Sequence, residues 1–206
     1  MHFEQGGVYH IYNQGNNGRR IFLRDGHYEY FIRKMRQHLL PYGDLLCWCL
    51  MPNHFHWLFH VQYLELPKSL VSQREKGNRF LSLNDSIGIL LRSYTRGINK
   101  ELNWSGSLFR SRTKAKGGFI DEIVTVEREA FFTEATYNHV CFNYIHYNPV
   151  KAEIVSHPAD WPFSSAVEYT LPETEGLCNK PLAYELGLLT DRVSYSPGQS
   201  EDFEVI

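Results

Sequence analysis

Long apolar runs are missing from this sequence. No segment approaches the ~20 consecutive apolar residues of a membrane helix, and the opening MHFEQGGVYHIYNQ holds no apolar stretch suited to a signal peptide. These absences lead us to expect a cytoplasmic protein with no membrane partner. Cysteine is scarce, at positions 47, 49, 141 and 178, and no C-x-x-C occurs. Cys47 and Cys49 form a C-x-C inside an apolar stretch, which suits buried structural thiols better than a zinc knuckle or redox pair. A charge excess of one sign is also missing, since the net charge is −2. That sum hides a local imbalance. Residues 68–116 hold 11 Lys and Arg against 3 Asp and Glu, a local +8, whereas residues 153–206 hold 2 against 10, a local −8. A basic middle and an acidic tail point to an anionic partner for one part of the chain only.

What the sequence does have is 206 residues, enough for one domain with elaborations and a real core, and an aromatic content of 15%. With 13 Tyr and 13 Phe, a lone tyrosine says little by itself. VYHIY reads as a strand over Val8–Tyr12, followed by a Gly/Asn-rich loop that ends in Arg19 and Arg20. Tyr28, Phe31, Ile32, Met35 and Leu39 have helical spacing. DLLCWCL and HFHWLFHV are two strands joined through Met51, Pro52 and Asn53, a hairpin. The polar segment QYLELPKSLVSQREKGNRFLSLND reads as a surface insertion or loop. Asp85 or Ser86 is the expected cap of a further helix, with Ile87, Leu90, Leu91, Tyr94 and Ile98 on its buried stripe. Arg92, Arg96 and Lys100 then form one basic line. SLFRSRTKAKGG is expected as a strand with Arg110, Arg112, Lys114 and Lys116 on one face. FFTEATYNHVCFNYIHYN is a last long helix, expected to stop at Asn148 before Pro149. The order strand, helix, strand, strand, helix, strand, helix predicts an α+β fold, most simply a ferredoxin-like antiparallel sheet with helices packed on it.

Three histidines fall within the seven residues 54–60. On a strand His54 and His56 share a face, while Phe55 and Trp57 take the other. By spacing alone this is either a solvated strand face or two ligands of a metal site that needs a third. Candidates for the third are His60 and the helix YNHVCFNYIHYNP, where Tyr144 and Asn148 are four residues apart and leave one face together. Nitrogen and oxygen ligands with open positions suit Mg²⁺ or Mn²⁺, and a phenol beside them is a candidate nucleophile. The four charges expected on the Arg110–Lys116 strand repel one another, which an anionic nucleic acid relieves. Arg20, with Asn16 and Asn17, is a further DNA-contact candidate in the first loop.

LMPNHFHWLFHV resembles the His-hydrophobe-His motif of HUH nucleases, and FNYIHYNPVKAEIV resembles the tyrosine helix of single-tyrosine HUH transposases, especially the REP-associated tyrosine transposases. YNQGNNGRRIF, SGSLFRSRTKAK and DWPFSSAVEY agree in order, so the resemblance covers roughly residues 5–170. It implies a ferredoxin-like HUH domain over 1–170 and an acidic, partly irregular extension over 171–206. It also implies a metal-dependent single-stranded DNA endonuclease and strand transferase that passes through a 5′-phosphotyrosine. By that resemblance Tyr144 is the nucleophile, and His54, His56 and Asn148 hold Mg²⁺ or Mn²⁺. Asn148 stands where relatives often carry a Gln, one methylene longer; His146 competes for the role, although i+2 on a helix points away from Tyr144. The implied partner is single-stranded or hairpin DNA, and the implied state a monomer or homodimer. The alternative is a domesticated DNA-binding protein that keeps the fold without the activity.

Overall fold

The computed structural model describes residues 1–71, 79–118, 134–170 and 176–189. Strand β1 (Val8–Gln14), helix α1 (Asp25–His38) and the hairpin β2 (Gly43–Met51) and β3 (His54–Val61) follow the expected order. The next segment carries short elements. Strands β4 (Glu65–Pro67) and β5 (Phe80–Ser82) pair antiparallel and flank the short helix α2 (Lys68–Val71). Residues 72–78 of the expected insertion lie outside the described residues. Helix α3 (Leu83–Leu102), strand β6 (Lys114–Gly117), helix α4 (Glu134–Lys151) and the short helices α5 (Ala166–Thr170) and α6 (Lys180–Glu185) complete the chain.

The main sheet has the order β2-β3-β1-β6, with every neighbouring pair antiparallel. With α1 and α3 as the crossovers, this is the ferredoxin-like topology. Alternation along the strands gives the sheet two different faces. Phe55, Trp57 and Phe59 of β3 pack with Phe31 and Met35 of α1 and with Ile87, Leu90, Tyr94 and Ile98 of α3 in one large aromatic core. Leu58 of β3, with Cys47 and Cys49 of β2, packs instead against Cys141, Phe142 and Ile145 of α4. The cysteines at 47, 49 and 141 are free and buried, as expected.

Three local expectations are corrected. Helix α3 begins earlier than Asp85 or Ser86: Ser82, in an extended conformation, is the N-cap. The Asp85 backbone N–H donates to Ser82 Oγ at 3.1 Å, and that hydroxyl donates to Asp85 Oδ2 at 2.8 Å, so Asp85 is the third helical residue, tied to the cap through both its backbone and its carboxylate. Helix α4 does not stop at Asn148 but carries Pro149 inside it and runs to Lys151. So near the end, the proline removes one ladder bond. The chain then closes with Ile154 N–H on Pro149 O at 3.0 Å, Glu153 N–H on Val150 O at 2.9 Å and a positive φ of 56° at Glu153, a Schellman arrangement. Finally, the strand expected over residues 107–118 is confined to Lys114–Gly117, with only a bridge between Phe109 and Gly15 before it.

Strand β2 ends the sheet, and its outer edge is covered by the later chain. Leu50 N–H donates to Phe163 O, Ser165 N–H to Trp48 O and Asn179 N–H to Leu45 O, each at 2.9 Å. These bonds satisfy backbone groups that an open edge would present to other chains. Glu168 is buried beneath this cover, accepting from Trp48 Nε1 at 2.9 Å and from Cys178 N–H at 3.0 Å. Part of the segment expected as an irregular acidic extension is therefore packed on the domain. Residues 190–206 lie outside the described residues. Among the described residues no helix is long and apolar enough to cross a membrane.

Candidate active site

The face of the sheet under α4 carries the chemistry. Because β3 pairs with β1 in the register Tyr12↔His56 and Gln14↔His54, and α4 lies across β2 and β3, side chains far apart in sequence meet in one open cleft. Tyr12, Asn13, Gln14, His54, His56, Arg110, Arg112, Lys114, Tyr144 and Asn148 line it, around a space of about 200 Å³. The His54 and His56 rings lie 5.0 Å apart, and the Tyr144 ring stands edge-on to His56 at 5.5 Å. His54 Nε2 is 3.1 Å from Asn148 Oδ1. Residues separated by some 90 positions thus form one group.

The nitrogens of these histidines have distinct surroundings. His54 Nδ1 is 2.7 Å from Asn53 Oδ1, an acceptor, so the ring hydrogen belongs there. Its Nε2 lone pair then faces Asn148 Oδ1, two electron-rich atoms side by side. A cation between them relieves that contact; the metal-free alternative is the Asn148 amide turned over so that Nδ2 donates. His56 Nε2 is buried with no hydrogen-bond partner, and so is Asn148 Nδ2. Burial lowers the pKa of His54, against a weaker opposing effect of Asn148, and holds His56 well below the usual imidazole value, helped by His10 and His54. Neutral imidazoles are the form that binds metals. Among the described residues no group of three or more His, Cys, Asp or Glu could hold a metal. A site here therefore needs an oxygen donor beside the two imidazoles, and the Asn148 amide oxygen, 3.1 Å from His54 Nε2, stands where it can supply one.

Tyr144 keeps its proton in this environment. Burial raises its pKa, and its contact with Asn148 offsets only part of that rise. Lys151 Nζ stands 5.5 Å over its ring.

The other expected residues divide into two groups. Arg110, Arg112 and Lys114 reach the cleft although the first two are not on a strand. Gln14 and Asn13 hold that segment: Arg110 N–H donates to Gln14 O at 2.8 Å, and Asn13 Nδ2 donates to Arg110 O at 3.2 Å and Thr113 Oγ1 at 3.0 Å. Lys116 is exposed on β6, opposite His10 in the register and on the same side of the sheet, but does not line the cleft. Arg92, Arg96 and Lys100 are exposed on α3, which packs on the aromatic face, across the sheet from the cleft. Arg20 is exposed in the first loop, and it too is not a lining residue. His60 lies at the far end of β3, 3.4 Å from Asp44 Oδ2. His146 points away, buried with Nε2 2.7 Å from Ser165 Oγ, as an i+2 position on the helix requires.

Sequence reasoning passed over the β1 residues of this site: Asn13 and Gln14, which line the cleft, and also Tyr12 and His10. Tyr12 lines the cleft beneath Lys114 Nζ, 5.8 Å from the ring centroid. His10 is buried with Nε2 2.9 Å from His56 Nδ1. The available signal was the alternation His10, Tyr12, Gln14 on β1, which places all three on one face.

Comparison with known proteins supports the fold. A solved structure of a REP-associated tyrosine transposase bound to a REP hairpin matches with a TM-score of 0.54 and 16% identity, over 86% of this chain and 87% of that one. At that identity the likeness establishes a shared fold alone. No family model and no curated protein matches the sequence.

Proposed function

We propose that this chain is a metal-dependent nuclease and strand transferase of the single-tyrosine HUH type, acting on single-stranded or hairpin DNA. The observation that carries the reading is the meeting of Tyr144, His54, His56 and Asn148 with Arg110, Arg112 and Lys114 around one cleft. The fold it shares with a transposase solved on a DNA hairpin supports it further.

His54, His56 and Asn148 would hold the divalent ion, whose positive charge would offset the negative charge developing on the phosphate oxygens. Arg110, Arg112 and Lys114 bind the backbone phosphates and orient the strand, a salt-sensitive contribution to affinity. Tyr144 attacks: its Oη forms a bond to phosphorus, the bond from phosphorus to the 3′ oxygen breaks, and the phenolic proton ends on the released 3′-hydroxyl. Because one phosphate ester replaces another, a second 3′-hydroxyl can reverse the step without a nucleotide cofactor.

The test is incubation with Mn²⁺ and labelled single-stranded hairpins, followed by a denaturing gel. The wild type is expected to give protein-linked DNA, and Tyr144→Phe to lose the adduct by on the order of 10³-fold or more. Binding with no adduct would indicate a retired DNA-binding protein. Cleavage that survives Tyr144→Phe would indicate water as the nucleophile.

A further inference from the structure

His10 has no place in the chemistry described so far, yet it is buried on the reactive face and touches a proposed metal ligand. Its ring is stacked on His56, with centroids 5.1 Å apart and planes 30° from parallel. The Tyr12 ring packs against it at 4.8 Å, and the Tyr144 ring stands edge-on at 6.1 Å. The separation of 2.9 Å between His10 Nε2 and His56 Nδ1 is that of a hydrogen bond.

Two neutral imidazoles in contact share one hydrogen between the facing nitrogens, so the pair has two forms. In one, His56 Nδ1–H donates to His10 Nε2, and the buried, unpartnered His56 Nε2 carries a lone pair in the cleft. In the other, His10 Nε2–H donates, and the His56 hydrogen sits on Nε2 with nothing to receive it. The second form leaves a buried N–H unmet and blocks the nitrogen that a metal would need. Buried N–H groups without acceptors are rare in folded proteins, which favours the first form.

We propose that His10 is a positioning residue that accepts the Nδ1 hydrogen of His56 and thereby fixes the tautomer and ring plane that present Nε2 to a divalent ion. This rests on the reading that His56 holds the ion. It follows the general behaviour of metal-binding histidines, whose second nitrogen is oriented by a hydrogen-bond partner. Here the partner is another imidazole rather than a carboxylate, so no negative charge is added beside the site. The β1–β3 pairing supplies it: His10 is opposite Leu58, two residues from His56 on the same face of β3.

Two measurements on the full chain test this. The first is the ¹⁵N spectrum of histidine-labelled, metal-free protein, with the His56 signals assigned by comparison with His56→Ala. The expected result is a hydrogen on His56 Nδ1 and a bare Nε2; a hydrogen on Nε2 overturns the proposal whatever any variant does. The second is Mn²⁺ binding, followed by calorimetry and by loss of the free-ion electron paramagnetic resonance signal. His10→Phe keeps a ring but no acceptor and is expected to lose about 10- to 100-fold in affinity. His10→Gln, whose Oε1 can accept the same hydrogen, is expected to recover most of that loss. Wild-type affinity in folded His10→Phe overturns the inference alone. No Mn²⁺ binding by the wild type, or unchanged binding by His56→Ala, overturns the reading of the metal site and this inference with it.

Discussion

The two faces of the sheet are built from alternate residues of the same strands and have opposite characters. Under α1 and α3, β3 contributes Phe55, Trp57 and Phe59 to a dry aromatic core. Under α4, the intervening positions contribute His54 and His56, and β1 adds His10. Both faces are covered, but one is filled by aromatic rings, with Trp57 Nε1 as a buried nitrogen without a partner, and the other gathers imidazoles and an amide, with His56 Nε2 and Asn148 Nδ2 unpartnered. The aromatic half holds the register that aligns His10, His56 and His54.

Neighbouring residues break the two faces separately. Phe55→Ala is expected to lower unfolding free energy by about 3–5 kcal/mol, the usual cost of a phenyl-sized cavity, while leaving Mn²⁺ affinity near wild type in the folded fraction. His56→Ala is expected to cost less stability, about 1–3 kcal/mol, because it removes the hydrogen bond to His10, and to abolish Mn²⁺ binding. Urea melts and calorimetry on the pair decide it, and equal loss of metal binding in both would erase the distinction.

Acid weighs on the reactive side more than on the aromatic side. Burial lowers His10, aided by Lys116, and His146 from 6.5 to about 3. Between those values the unfolded chain binds protons that the folded chain does not. Stability is therefore full above pH ~6.5 and falls as pH drops towards 3, by up to roughly 1.4 kcal/mol per pH unit for each such imidazole. Urea midpoints at pH 7, 6 and 5 should fall in that order, and His146→Gln should flatten the slope. On the aromatic side His38 of α1, lowered to about 4 by burial and by Lys34, adds a smaller dependence of the same sign.

The basic residues offer a third comparison. Neutralising Arg110, Arg112 and Lys114 together is expected to weaken hairpin binding by about tenfold or more and to reduce the salt slope by up to ~3. Neutralising Arg92, Arg96 and Lys100, on the other side of the sheet, is expected to change binding by less than about threefold. Fluorescence anisotropy at several salt concentrations separates the two, and a larger effect from the α3 set would place the DNA on the aromatic side. The smallest effect belongs to the start of α3, where Ser82→Ala removes the cap and should cost about 1 kcal/mol in thermal or urea unfolding.

Much of this was legible in the residues. Period-two alternation assigned Phe55 and Trp57 to one face and His54 and His56 to the other, and helical spacing put Tyr144 with Asn148 and turned His146 away. The boundaries were less legible. Ser82 rather than Asp85 caps α3 because capping depends on which backbone N–H meets which oxygen. Pro149 remains in α4 because, close to the end, only one ladder bond is lost. Arg110 and Arg112 reach the cleft without a strand beneath them, since Asn13 and Gln14 hold the segment from another part of the chain.

The sequence by itself determined the element types, the two-faced character of β3 and the tyrosine helix, because each depends on residues within a few positions of one another. Only the tertiary structure decided that His10 meets His56, that Asn148 faces His54 and that the α3 charges lie across the sheet from the site. Those outcomes depend on strand register, on the order β2-β3-β1-β6 and on which face α4 covers. Such pairings join positions far apart in the chain, and no local spacing encodes them.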